Sequence, residues 1–224
     1  MRISGLSERS GVTIASIKYY LREGLLFAGR AESSTRSEYD ESHVSRLRLI
    51  RALIDIGGLS VTAAKAVIDT IDDDEVPIVH AFGVAQHAVS ASLTSATPPT
   101  EAGLRRVDAL KQERGWQTHG RNPGEEIAAR VVDAFSAIGR DDLIGLLPAY
   151  ADAAEIVARA DLDATLANGD DRRLMVETVV VGTALGDGLF AGLRRIAQED
   201  IARSFGLPGS SLEPSPLDQN GPAS

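Results

Sequence analysis

The residues best suited to chemistry lie close together near the start of the chain, on one short predicted helix. Their hydroxyl, phenol and cationic side chains are those of Thr13, Ser16, Lys18, Tyr19, Tyr20 and Arg22. Two arginines, Arg30 and Arg36, follow in a polar segment that has no helical periodicity. Side chains of these types donate hydrogen bonds and form ion pairs with phosphate oxygens, so the pattern favours contact with a nucleic-acid backbone.

Two short helices and a tight turn would position these side chains. The first is predicted over Ser4–Ser10 with Ser4 as its N-cap, and Gly11 and Val12 make the turn. Thr13 can cap the second helix, and Gly24 ends it. The predicted core positions in this segment are Ile14, Ile17, Leu21 and Leu25.

A β-hairpin and two more helices are predicted next. The strands of the hairpin are expected near Leu25–Phe27 and Ser37–Tyr39. Asp40 opens a helix that the glycine pair at 57–58 stops, and Ser60 caps another that runs to about Ile71. We interpret three arginines as a solvated face of the first of these helices: Arg46, Arg48 and Arg51.

This order of elements is typical of a winged helix-turn-helix, in which the second helix enters the major groove and the hairpin reaches the backbone. Residues 1–72 resemble the MerR family of bacterial transcriptional regulators. The match lies in residues 3–7, in 10–26 with the sequence SGVTIASIKYYLREGLL, in 39–50 and in 57–60.

The resemblance implies roles for individual residues. Tyr19 and Tyr20 would touch the DNA backbone or brace the wing, and Tyr39 would pack the wing onto the helices. Lys18 stands where the family has an arginine, and Ala15 stands where it has an arginine that often contacts a base. Arg36 would be the charge of the wing. The family also implies a homodimer on a palindromic operator, DNA that is bent or twisted, and RNA polymerase as a candidate partner at the promoter.

The rest of the chain is predicted to be helical. We divide it into a DNA-binding domain (1–75), a linking helix and linker (76–99), a helical C-terminal domain (100–206) and a disordered tail (207–224). The linking helix runs from Pro77 to about Ala91 and is short for the family. The fold class is therefore mainly α with a small β-hairpin. Helices are expected near 101–114, 123–138, 143–166 and 172–205, and Pro148 should kink the third or delay its start.

The last helix contains the most apolar stretch, Val176–Leu193. It includes Glu177 and Asp187, so we interpret it as a buried helix and not as a membrane span. Its glycines at 182/186 and 188/192 predict tight helix packing, in a core or at a dimer interface, in preference to the floor of a ligand pocket.

Charge and composition reduce the number of functions that the chain could have. The net charge is −9, but residues 1–70 carry ten basic and eight acidic side chains against thirteen and twenty-four in the remainder. The chain has no cysteine, and its four histidines lack the spacing of metal ligands, so no metal or cofactor is predicted. No catalytic motif is present, and the acidic pairs 141–142 and 170–171 are interpreted as helix caps. We expect a cytoplasmic protein that is not an enzyme.

The sequence thus predicts a sequence-specific, DNA-binding transcriptional regulator that acts as a homodimer. The helical domain either only dimerises or also binds a small-molecule effector, and the sequence leaves both open. Two other functions are weighed against this one: a DNA architectural protein outside transcription, and a helical enzyme.

Overall fold

A computed structural model of the chain describes residues 1–33, 36–91, 97–118 and 122–205. The predicted tail from 207 and most of the predicted linker, residues 92–96, lie outside the described residues, as does His119. The described helices and strands are α1 (Ile3–Ser10), α2 (Ile14–Arg22), β1 (Arg30–Ser33), β2 (Arg36–Glu38), α3 (Glu41–Arg51), α4 (Val61–Asp72), α5 (Ile78–Ser90), α6 (Glu101–Arg114), α7 (Pro123–Ala137), α8 (Leu147–Leu166) and α9 (Arg172–Ser204). The predicted fold class, mainly helical with one antiparallel hairpin, is confirmed.

The first two helices meet at a glycine turn, as predicted. Gly11 ends α1 with φ of 69°, a left-handed conformation in which a side chain would be strained. The N-cap of α1 is Arg2, whose side chain does not cap the first turn, so the expectation of a Ser4 cap is wrong. The N-cap lies two residues earlier than the hydroxyl of Ser4 indicated.

The hairpin, which we call the wing, differs from the prediction in its first strand, which lies at Arg30–Ser33 and not near Leu25–Phe27. Its second strand, Arg36–Glu38, begins one residue before the expected one. Its strands pair Arg30 with Glu38 and Ala31 with Ser37. Leu25 and Leu26 do not form a strand; both are buried, and their N–H groups donate to the Tyr20 carbonyl oxygen at 2.9 and 3.2 Å. Burial at the end of α2 thus outweighs their β-propensity.

Helix α3 is fixed by a reciprocal cap and continues into a π-helical turn, Ala52–Ile56. The side chain of Asp40 accepts from the Ser42 N–H at 3.0 Å, and the Asp40 N–H donates to Nδ1 of His43 at 3.2 Å. The helices of the N-terminal segment enclose one apolar core, whose largest fully buried side chains include Leu6, Ile17, Leu25, Leu26, Val44, Leu47, Ile50, Leu53, Val67 and Ile68.

Two predictions about α3 and α2 need correction. Arg46 is not on a solvated face: it is 8% exposed, and it forms an ion pair with Asp72 at the end of α4. Arg48 and Arg51 are exposed, as expected. Ile14, expected in the core, is 40% exposed at the first position of α2.

The contacts among the remaining helices do not all follow chain order, since α5 also contacts α7. α4 contacts α5, and α6 contacts α7. Gly103 of α6 lies so close to α7 that a Cβ atom there would be 2.7 Å from the Ala129 carbonyl oxygen. Pro148 does delay a helix: a 3-10 segment, Asp141–Leu146, precedes α8.

Helix α9 differs most from expectation. Val176, Val179, Val180 and Ala184 are buried in the main core, but Leu189 and Leu193 are 66% and 55% exposed. A Cβ atom on Gly182, Gly186, Gly188 or Gly192 would meet nothing within 4 Å, so these glycines do not pack in a core of this chain. The expectation of a buried 176–193 helix is wrong for its second half.

The chain divides into two units, Met1–Gly186 and Asp187–Ser224, of which the second is described to residue 205. That described part is the end of α9, and its large apolar side chains are exposed. By length and composition alone, α9 is the one helix of the described residues that could cross a membrane; its 18-residue apolar window has mean hydropathy 1.5 and is 22% buried.

Candidate nucleic-acid interface

The candidate interface is built on α2, whose start is fixed by one side chain. The Oγ1 atom of Thr13 accepts from the Ser16 N–H at 3.1 Å and lies 2.9 Å from the Ser16 hydroxyl oxygen. This confirms Thr13 as the N-cap and leaves other N–H groups of the first turn directed away from the helix. A helix N-terminus of this kind favours an anion, because N–H groups and the helix dipole point toward it.

The turn between α1 and α2 is held by hydroxyl groups. Ser7 donates to the Val12 carbonyl oxygen at 2.6 Å, and Ser10 donates to that of Leu6 at 2.7 Å. The Val12 N–H in turn donates to the Ser10 hydroxyl oxygen at 3.3 Å. These bonds satisfy backbone groups that the turn removes from the helices, and they fix the angle at which α2 leaves α1.

One face of α2 is open to solvent. Ile17 is fully buried. By the helical period Ala15, Tyr19 and Arg22 lie on the opposite side of the helix, and Lys18 lies on the flank next to them. Ala15, Lys18 and Arg22 are exposed, and Tyr19 is half-buried. The guanidinium of Arg22 lies 5.2 Å from the centre of the Tyr19 ring, a cation–π distance that holds both side chains on this face.

Tyr20 lies on the inner side of α2 and braces the helix. Its ring packs against the core and is 5.9 Å from that of Tyr19. Burial raises the pKa of the Tyr20 hydroxyl, the Asp55 carboxylate raises it further, and the Arg51 guanidinium opposes both. Tyr20 therefore stays a neutral phenol that can donate one hydrogen bond.

The wing is anchored at its base. Tyr39, which is 7% exposed, donates its N–H to the Met1 carbonyl oxygen at 2.8 Å. Gly29 allows the two strands to approach, since a Cβ atom there would lie 2.6 Å from the Glu38 carbonyl oxygen. Below them, the buried ring of His43 packs at 4.4 Å from Phe27 and 5.1 Å from Tyr39.

The predicted site residues fall into two groups. The α2 residues are brought together at one end of the molecule's N-terminal segment, with Thr13 exposed and Ser16 half-buried at the helix start. Arg30 is exposed on β1 of the wing. Arg36 belongs to β2 by its backbone, but its side chain lies outside what the structure describes.

Two residues at this site were not among the predicted contacts. Ile14 is exposed beside Thr13, and Arg51 reaches from α3 to the α1–α2 turn, where its Nη1 atom would be 3.6 Å from a Cβ on Gly11. Arg51 also pairs with Asp55 at 2.8 Å. The sequence offered no signal that separates Arg51 from Arg46 and Arg48, because their difference depends on packing between helices.

The comparisons with known proteins agree with this geometry. Residues 1–71 match the family described as MerR HTH family regulatory protein. The chain is 33% identical to SCO5550 of Streptomyces coelicolor A3(2), assigned as a transcriptional regulator, over 95% of this chain and 100% of that one, with a TM-score of 0.64. The chain belongs to the MerR family.

Membership confirms the resemblance seen in the sequence and makes the chain a DNA-binding regulator of the helix-turn-helix type. MerR-family regulators are typically not enzymes. No curated protein gives a significant match. Among the described residues, no group of three or more histidine, aspartate and glutamate side chains could hold a metal ion.

Proposed function

We propose that this MerR-family chain binds a palindromic operator as a homodimer and controls transcription from the adjacent promoter. The observation that carries the proposal is the open face of α2, which presents Lys18, Tyr19 and Arg22 to solvent, with the Arg22 guanidinium against the Tyr19 ring. In this arrangement α2 enters the major groove and the wing follows the neighbouring backbone.

The contacts to phosphate are assigned by charge and exposure. Lys18, Arg22 and Arg30 are exposed cations, and we assign them to phosphate oxygens, together with the wing's Arg36. Thr13, Ser16 and Tyr19 can add hydrogen bonds, and Tyr20 holds α2 in place from behind. These contacts set the position of the protein along the DNA and its affinity, and they carry little information about the base sequence.

Base readout is proposed to be partly indirect. The groove-facing start of α2 presents Ala15 and the exposed Ile14, which can contact a thymine methyl group but cannot make a bidentate hydrogen bond. Sequence preference then depends on how readily the operator bends or twists under the two DNA-binding domains of the dimer, which we call its heads. This agrees with the operator distortion that the family resemblance implies.

A second copy is proposed to cover the end of α9. Leu189, Leu193 and Ile196 are 66%, 55% and 67% exposed, and Phe190 and Ile201 lie on the same half of the helix surface. Soluble monomers rarely expose a continuous apolar surface of this kind. A two-fold DNA site needs two heads, so another copy is the occupant that the proposed function requires.

The helical domain is proposed to link an effector to the heads, and RNA polymerase is a further candidate partner at the promoter. We place the protein in the cytoplasm, where its DNA lies. The alternative of a DNA architectural protein is distinguished by salt: specific binding keeps its discrimination as salt rises, whereas general binding collapses.

The test is a gel shift with the DNA upstream of the protein's own gene, with unrelated DNA as competitor, over a range of salt concentrations. We expect a complex that survives excess competitor at physiological salt. If upstream and unrelated DNA compete equally at every salt concentration, the regulator proposal fails and the architectural reading replaces it.

A further inference from the structure

A cavity of about 660 Å³ lies at the base of the wing, within the first unit of the chain. Its walls come from four parts of the sequence: Phe27 before the wing, Arg46 of α3, Asp72 and Asp74 at the end of α4, and Glu177 of α9. This volume is within the range of pockets that bind small molecules.

One wall of the cavity is a buried cation that is only partly satisfied. Arg46 pairs with Asp72 through its Nη2 atom, and its guanidinium lies 5.6 Å from the centre of the Phe27 ring. Its Nε atom is buried and has no hydrogen-bond partner. A buried guanidinium held in this way forms a rigid polar wall, because any movement would break the ion pair or expose the ring.

The charges around the cavity favour one class of ligand. The Asp72 carboxylate is already paired, but those of Asp74 and Glu177 accept no hydrogen bond from any described side chain. Arg173 is the only other cation among the lining residues. Arg172 lies beside the cavity, but its guanidinium donates to the backbone carbonyl oxygen of Asp74 and leaves the carboxylate free. The unpaired carboxylates of Asp74 and Glu177 can therefore accept hydrogen bonds from a cationic ligand, whereas an anion would meet them unfavourably.

Apolar side chains supply the rest of the lining. The Phe27 ring, Leu49 and Ile71 give an apolar floor, and the hydroxyl of Ser45 can hydrogen-bond to a ligand donor. We propose that this cavity binds a small organic cation, an ammonium group on an aromatic or alkyl body, with Asp74 and Glu177 on the charge and Phe27 on the body.

Such a ligand would act on the DNA-binding end directly. Phe27 lies two residues before Gly29, where the wing begins, and Glu177 belongs to a helix of the C-terminal domain. A cation that contacts both Phe27 and Glu177 would bind one position of the wing more tightly than another. That difference in affinity would shift the wing toward the position that binds better. This regulatory part rests on the proposed DNA-binding function, but binding of the cation does not.

Calorimetry on the full chain without DNA tests the site, with three probes of one size and different charge: benzylamine, benzyl alcohol and benzoate. Benzylamine should bind with saturable heat at pH 7, and the other two should bind at least about tenfold more weakly, the factor for a hydrogen bond to a charged group. Glu177→Gln and Asp74→Asn should each weaken benzylamine about tenfold.

Glu75→Gln is the matched control, since Glu75 is an exposed neighbour that does not line the cavity, and it should leave the dissociation constant unchanged. The site is overturned if benzylamine gives no saturable heat, if benzoate binds equally well, or if both cavity variants bind like the control. Because the calorimetry contains no DNA, a failure to bind benzylamine is distinguishable from a failure to bind an operator, which the gel shift measures.

Discussion

Replacing Lys18 by alanine tests the assigned face of α2 through the salt dependence of DNA binding. Lys18 is exposed and makes no ion pair among the described residues, so its loss should leave the fold intact. Each phosphate that a protein neutralises contributes about −0.9 to the slope of log K against log salt. Removing one Lys18 per head from a dimer removes two such contacts, and the slope should fall in magnitude by about 1.8.

The slope predicts a measurable change in affinity. Between 50 and 200 mM salt, a difference of about 1.8 in slope changes the affinity ratio of native protein to variant about 12-fold, against about 3.5-fold for a single head. Fluorescence anisotropy with a labelled operator, read at four or five salt concentrations, gives both slopes. The same data therefore report how many heads engage the DNA.

Arg105→Ala is the control for Lys18→Ala. Arg105 is an exposed cation on α6 that pairs with Glu101 at 3.2 Å, and its removal changes the net charge by the same amount. Its slope should equal that of the native protein. If the plots of log K against log salt have the same slope for Lys18→Ala and the native protein, the assignment of Lys18 to a phosphate is refuted. A reduced slope for Arg105→Ala would show that the change in slope is a general effect of net charge.

Three further predictions concern the wing, the cap of α3 and the end of α9. Gly29→Ala should destabilise the fold by about 1–3 kcal/mol in urea unfolding, because its Cβ would overlap the Glu38 carbonyl oxygen, and a change within the error of the native value would refute the close approach. Hydrogen bonds from Ser42 and then His43 hold the pKa of Asp40 below its usual range, so this carboxylate stabilises the fold at neutral pH and loses that effect as pH falls. The difference in unfolding free energy between native protein and Asp40→Ala should therefore shrink on acidification, and a difference independent of pH would contradict it. Leu193→Glu should convert a dimer to a monomer in light scattering, while Gln198→Glu, exposed on the polar side of α9, should not; a dimer in both variants would remove α9 from the interface.

The local signals of the N-terminal segment were sufficient to predict its helices. The caps at Thr13, Asp40 and Ser60 and the left-handed Gly11 all act within a few residues, so their types and spacing are visible in the sequence. The candidate face of α2 could be predicted for the same reason, since it follows from the helical period once Ile17 is placed inward.

Features that depend on distant residues could not be predicted in this way. Arg46 is buried because Asp72 lies beside it, 26 positions later, and no spacing rule connects the two. The cavity at the base of the wing combines Phe27 with Glu177, which only the packing of α9 brings together. The second half of α9 was expected to be buried because apolar content does not reveal whether other helices of the same chain cover it.

In vitro selection from a random DNA library with the purified full chain tests the central claim most directly. The proposed function predicts enrichment of one motif with two-fold symmetry, with half-sites spaced by about one helical turn or a multiple of it. The enrichment should be lost when Lys18 and Arg22 are both replaced by alanine. A library that shows no enriched motif after repeated rounds, or the same motif with the doubly substituted chain, would contradict sequence-specific operator binding through α2.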